Sequence, residues 1–151
     1  MSRIAYVNGR YLSRSAAKVS IEDRGYQFAD GIYEVCEVRG GHLVDETRHM
    51  QRLARSLGEV RITPPMAQSA IGVVLREVVR RNRVGEGIVY AQVTRGVAAR
   101  DHAFPEQSLR SSLVVTAKEL PVAPRLQRAE RGVAVVTLPD KPDADLKKFA
   151  E

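Results

Sequence analysis

The sequence predicts an α+β fold built on a mainly antiparallel sheet, and three observations predict it. Two pairs of strand-like segments are each joined by a short glycine-containing turn. Two helix-like segments then follow one another directly, and a further pair of strands comes after them. The strand–helix–strand alternation of a parallel sheet is missing. At 151 residues, with 44% hydrophobic and 28% charged residues, the chain has the length and composition for one good core.

Residues 4–7 and 10–12 flank Asn8-Gly9, a dipeptide that tolerates the positive φ of a hairpin turn. Residues 22–31 mix glycines with charges and read as a structured loop. Residues 32–39 alternate on a two-residue period, with Tyr33, Val35 and Glu37 on one face and Glu34, Cys36 and Val38 on the other. Gly40-Gly41 turns the chain into His42-Leu43-Val44, a second hairpin. Asp45 suits the N-cap of a helix carrying Met50, Leu53, Ala54 and Leu57 on one stripe, with Gly58 just past its end.

Pro64-Pro65 opens the loop to a second helix over 67–81, apolar at Ile71, Val74, Leu75, Val78 and Val79. Arg76, Arg80, Arg81 and Arg83 fall on its polar side and read as a solvated face. Residues 87–95 form a strand, and Leu113 to Ala117 form another whose nearly unbroken apolar run points to burial. A long polar loop, 96–110, separates them. The stretch 120–130, with Pro121 and Pro124, reads as an interdomain linker, so that 1–119 is a first domain. Residues 133–138 then read as the first strand of a second domain covering 131–151.

Several function classes are excluded at this level. No run of about 18 apolar residues is present, so no membrane partner is expected. The opening residues lack an apolar signal core, and a single cysteine, Cys36, cannot form an internal disulfide; both point to the cytoplasm. The net charge is +6, but the arginines are scattered and aromatics make up only 5%, so nucleic acid is not an expected partner. His42, His49 and His102 lack zinc-ligand spacing, and no metal is expected. Arg100 and His102 are two donors with one residue between them in an extended loop. Such a pair suits a carboxylate, with Arg supplying a planar fork and His a third donor. From spacing alone, a solvent-exposed polar loop is the alternative.

Asp23-Arg24-Gly25-Tyr26-Gln27-Phe28, with Asp30-Gly31-Ile32-Tyr33-Glu34 after it, is similar to the opening motif of the D-amino acid aminotransferases of fold type IV. His49-Met50-Gln51-Arg52-Leu53 resembles the H-x-x-R-L helix of the same family. Residues 90–96, continuing through Arg100, His102, Phe104, Pro105 and Glu106, resemble its R-G-x-x-x-R-x-H-x-F-P-E loop. The resemblance implies pyridoxal 5′-phosphate as cofactor, D-amino acids and 2-oxo acids as substrates, and a homodimer in which this loop reaches the neighbouring subunit's site. It assigns Arg100 and His102, with Tyr33, to the substrate carboxylate, and Arg52 to the cofactor phosphate. Arg24 and Tyr26 match the motif as structural support, while Cys36 is expected to be inert in the sheet and His42 and His49 to be surface or packing residues.

Near the end, Asp145-Leu146-Lys147 is similar to the family's D-I-K step, two residues early, which makes Lys147 the candidate for the lysine that carries the cofactor; Lys141 and Lys148 lack the surrounding motif. The family's second domain does not follow within 151 residues, so the chain is expected to be its N-terminal half. Two rival readings stand beside the D-amino acid transaminase. One is a branched-chain aminotransferase or aminodeoxychorismate lyase of the same fold, and the other a noncatalytic fragment or dimerisation module.

Overall fold

The computed structural model describes residues 4–137. Contacts divide the chain into two compact units, the first running to Pro121 and the second starting at Val122.

The first unit is a six-stranded sheet with two long helices on one face. Its strands are β1 (Ile4–Val7), β2 (Arg10–Ser13), β3 (Gly31–Arg39), β4 (His42–Leu43), β5 (Gly87–Thr94) and β6 (Ser112–Glu119). They lie in the order β2-β1-β6-β5-β3-β4, and every pairing is antiparallel. The β1–β2 turn is made by Asn8 and Gly9, both at positive φ as the dipeptide predicts.

Register puts Tyr6, Cys36, Val38, Val89, Ala91, Val93, Leu113, Val115 and Ala117 on the same side of the sheet, and all are buried. Helix α2 (Glu46–Glu59) covers this face with Met50, Leu53 and Leu57, and helix α3 (Gln68–Asn82) with Ile71, Val74, Leu75, Val78 and Val79. These side chains recur at three- and four-residue spacing, so each helix turns one continuous apolar stripe to the sheet. The strand at 113–117 is therefore not buried as a run. Leu113, Val115 and Ala117 face the helices, while Val114 and Thr116 are half-buried on the other side.

The expected solvated face of α3 is occupied by ion pairs: Glu77 accepts from Arg80 and Arg81, and Glu46 from Arg76. Arg81 also lies 4.1 Å over the ring of Tyr11.

Several local expectations need correction. Ala54 is exposed and stands outside the stripe of α2, which continues through Gly58 to Glu59. Asp45 does occupy the N-cap, but in the left-handed region at φ 53° and with no capping bond from its side chain. The loop at 22–31 contains a short helix, α1 (Arg24–Phe28), capped by the Asp23 carboxylate, which accepts from the Gly25 N–H at 2.9 Å.

In the second unit, the stretch expected to be a linker carries helix α4 (Val122–Arg131). Pro124 lies in its first turn, where backbone N–H groups have no helical partner anyway, so it does not break the helix. Residues 133–137 form no strand and have no ladder partner among the described residues.

Two glycines fix how α1 meets the sheet. A Cβ on Gly25 would stand 2.1 Å from the Thr94 methyl, and one on Gly96 (φ +107°) would stand 2.1 Å from the Arg110 carbonyl oxygen. Gly25→Ala is expected to lower stability by on the order of 1–3 kcal/mol through overpacking. Thr94→Ser deletes the clashing methyl and should return part of that loss, which a double-mutant cycle on urea midpoints will read.

Candidate active site

One end of the sheet gathers the polar chemistry. β3 starts at Gly31 opposite Thr94, the last residue of β5, so the segment before β3 and the loop after β5 meet there. Arg24 N–H donates to the Gly96 carbonyl at 2.9 Å, and Asp23 bridges Val97. The loop 95–111 therefore leaves the sheet pinned against α1.

Beneath that contact lies a nearly dry ion group. The Asp30 carboxylate accepts from Arg24 Nε at 2.7 Å and from Arg95 Nε at 2.8 Å, with the Arg24 and Asp30 side chains only 3% and 10% exposed. Burial pushes the Asp30 pKa up, but the two guanidinium groups outweigh it and hold the acid below its ordinary value. Arg95 reaches on to the carbonyls of Arg61 at 2.9 Å and Val60 at 3.0 Å, joining this group to the turn after α2.

A second buried carboxylate sits on the helix-facing side of β3. Glu34, on the same face as Cys36 and Val38, accepts from Arg52 Nε at 2.8 Å, from a terminal nitrogen of Arg52, and from its neighbour's Val35 N–H at 2.9 Å. His49 Nδ1 lies 3.0 Å from the same carboxylate. Since an ionised carboxylate only accepts, that ring nitrogen carries its proton. Burial raises the Glu34 pKa, yet the bonds from Arg52, His49 and the Val35 N–H carry it down to about 2. Arg52 is thus held by a fixed anion while its side chain stays 57% exposed. Such a guanidinium, oriented from behind and open in front, can meet an external anion. Cys36 is 1% exposed, and burial followed by the charges of Glu34 and Glu46 pushes its thiol up to about 12, so it stays protonated.

The residues singled out in the sequence fall into two groups. Tyr33 stands on the open face of β3, 67% exposed, with its ring stacked on Tyr90 at 5.6 Å. Glu34, the next residue, faces the other way and holds Arg52 of α2, so Tyr33 and Arg52 flank the start of β3 from opposite faces of the sheet. Arg100 and His102 are brought together elsewhere, on the ring of Phe28: the Arg100 guanidinium lies 5.4 Å from that ring and the His102 ring 5.3 Å from it. Lys147, like Lys141 and Lys148, lies outside the described residues.

Sequence patterns assign no site role to Glu34, His49, Arg24 or Asp30. For Glu34 the signal is present. It is an acid on the apolar side of an alternating strand, which requires a cationic partner from the element packed above it.

Residues 31–149 match the family model of class IV aminotransferases. The chain belongs to the class IV aminotransferase family. A D-alanine aminotransferase from Staphylococcus aureus is 37% identical over 135 residues, covering 89% of this chain and 47% of that protein. The chain thus spans about half the length of the curated relatives it matches, 40–47% for the first two. Among solved structures, the branched-chain amino acid aminotransferase from Escherichia coli superposes with a TM-score of 0.73 at 17% identity. That match covers 80% of this chain and 42% of the other. The 4-amino-4-deoxychorismate lyase of Pseudomonas aeruginosa gives 0.65 at 25% identity, over 83% and 43%. The fold is that of fold-type IV aminotransferases, as the sequence predicts, with α1 and α4 added to the two helices expected.

The Glu34 group has a signature in pH. Its folded pKa of about 2 lies below the unfolded value of 4.5, so the ionised acid contributes stability that is fully present above about pH 4.5 and is lost as pH falls towards 2. Glu34→Gln is expected to lower stability at neutral pH and to flatten the acid limb in that window. Urea midpoints measured from pH 7 to pH 2 will show it, and parallel limbs for the two proteins would contradict the assignment.

Proposed function

We propose that this chain serves a pyridoxal-phosphate-dependent transamination that moves the amino group of a D-amino acid to a 2-oxo acid. The observation that carries the reading is that Arg100 and His102 both lie against the Phe28 ring, in an exposed loop pinned at its base. The relatives named D-alanine aminotransferases support the same choice.

Arg52 fits the cofactor's phosphate: it offers a planar cationic donor set, oriented by a buried carboxylate and more than half exposed. Tyr33, exposed beside Tyr90 on the other face of β3 from Glu34, offers a hydroxyl donor at the same end of the sheet. When bound, pyridoxal phosphate supplies the electron sink for bond breaking at the substrate's α-carbon. The chain's own groups do the rest. Arg100 forks onto the α-carboxylate, His102 adds a further donor, and Tyr33 hydrogen-bonds to the same group. Lys147 is the amine that carries the cofactor and takes the α-proton, a task it performs in its unprotonated form. The loop that bears Arg100 serves a neighbouring copy in a homodimer. The exposed side chains Val97 and Phe104 on that loop support such a contact.

A branched-chain aminotransferase or a lyase of the same fold is the second reading, favoured by the structural likeness to those enzymes. The stereochemistry of the amino donor consumed separates it from the first. A noncatalytic module would show no visible cofactor absorbance in the complete protein.

In the complete protein, Arg100→Ala removes the fork on the carboxylate. Losing one partner of a partly desolvated charge pair costs about 2–5 kcal/mol, so kcat/KM for D-alanine should fall by roughly 30-fold or more. The cofactor's visible absorbance should remain, and His102→Ala should act in the same direction less strongly. Full activity on D-alanine in Arg100→Ala, or loss of the cofactor, would remove this role. Sedimentation of the complete protein should show a dimer, and a clean monomer would count against the shared-site reading.

A further inference from the structure

We propose that Arg24 is a positioning residue for the Arg100–His102 pair, an inference that rests on the carboxylate reading above. A guanidinium that is 3% exposed is expensive unless every part of it is partnered, and the partners of Arg24 point to one place. Its Nε donates to Asp30 at 2.7 Å. One terminal nitrogen, Nη1, donates to the carbonyl of Asp101 at 2.8 Å and to that of Ala103 at 3.3 Å. These two carbonyls belong to the residues on either side of His102.

The flat face of the same group carries the second half of the arrangement. The Arg24 guanidinium carbon lies 4.9 Å from the centre of the Phe28 ring, the ring against which Arg100 and His102 also pack. Arg24 therefore fixes both the backbone that bears His102 and the aromatic surface that the two carboxylate donors share. Its own position is not free to drift. Asp30 is held from the other side by Arg95, which is bonded to the carbonyls of Val60 and Arg61. The rigid end of the sheet is thus linked through Asp30 and Arg24 to a loop whose tip is otherwise exposed.

A lysine at this position would keep a positive charge opposite Asp30. It would lack the separated, coplanar nitrogens that meet the carboxylate and the carbonyls together, and the flat face that stacks on Phe28. Arg24→Lys is therefore the informative variant, and Arg24→Met removes the charge as well. Both are tested in the complete protein loaded with pyridoxal phosphate, by steady-state kinetics on D-alanine and by hydrogen exchange of the backbone amides at 99–104.

For Arg24→Lys, KM should rise about tenfold, about 1.4 kcal/mol, while kcat changes by less than about threefold, the pattern of weakened substrate binding rather than lost chemistry. The amides at 99–104 should exchange faster, with those of β3 and β5 unchanged; Arg24→Met should show the same pattern more strongly. Unchanged exchange at 99–104 would overturn the proposal. So would faster exchange across β3 and β5 accompanied by a matching fall in kcat, or failure of both variants to fold, because each makes Arg24 a general core residue. If the unaltered protein consumes no D-amino acid, the functional reading fails by itself, and hydrogen exchange still decides whether Arg24 holds this loop.

Discussion

Eight consecutive residue pairs between β3 and β5, from Gly31↔Thr94 to Val38↔Gly87, hold the centre of this molecule in one register. Side chains alternate strictly along both strands, so a slip of one residue would turn Cys36 and Val38 outward and bring Tyr33 and Val35 against the helices. The same register sets the start of β3 beside the end of β5. Everything with chemical interest hangs from that junction: Tyr33 and Glu34 just after it, Asp30 just before it, and the loop to Arg100 and His102 leaving from its far strand.

The junction is polar inside, and its polarity is balanced anion by anion. Glu34 is met by Arg52 and His49, and Asp30 by Arg24 and Arg95. Buried carboxylates of this kind add little net stability over well-packed apolar groups, but removing one partner leaves a charge uncompensated. Their value here is geometric. Each carboxylate joins elements distant in sequence and fixes a guanidinium whose direction would otherwise be set by a flexible stem. In the Glu34 group the guanidinium ends in solvent at Arg52, open to an anion. In the Asp30 group it turns inward at Arg24 and grips the backbone around His102.

The proposed function gives these two arrangements a common sense. Under it, a phosphorylated cofactor and a carboxylate-bearing substrate would each meet a planar cationic fork held in place before they arrive. Preorganisation of that kind lowers the ordering cost of binding. Arg52 is organised through a strand and a helix, Arg100 through a loop resting on an aromatic ring. The second support is a loop rather than a strand and a helix, and Arg24 bonds to its backbone on either side of His102.

The sequence by itself determined the sheet and its two faces. Period-two alternation in 32–39 assigned Glu34, Cys36 and Val38 to one side, three- and four-residue spacing gave α2 and α3 their buried stripes, and Asn8-Gly9 marked its turn. Those are local patterns, readable because a strand or helix repeats its environment every two or 3.6 residues. The candidate positions Tyr33, Arg52, Arg100 and His102 came instead from the resemblance of short motifs to a known family. What touches them was not legible in the sequence. That Glu34 orients Arg52, that Phe28 lies under both Arg100 and His102, and that Arg24 reaches 77 residues along the chain to the Asp101 carbonyl are matters of long-range packing. Local composition also left unread the helix that begins at Val122, since prolines that break a helix interior are harmless in its first turn. Only the tertiary structure decided which buried charge faces which, because burial makes a charge depend on its partners and those partners come from elsewhere in the chain.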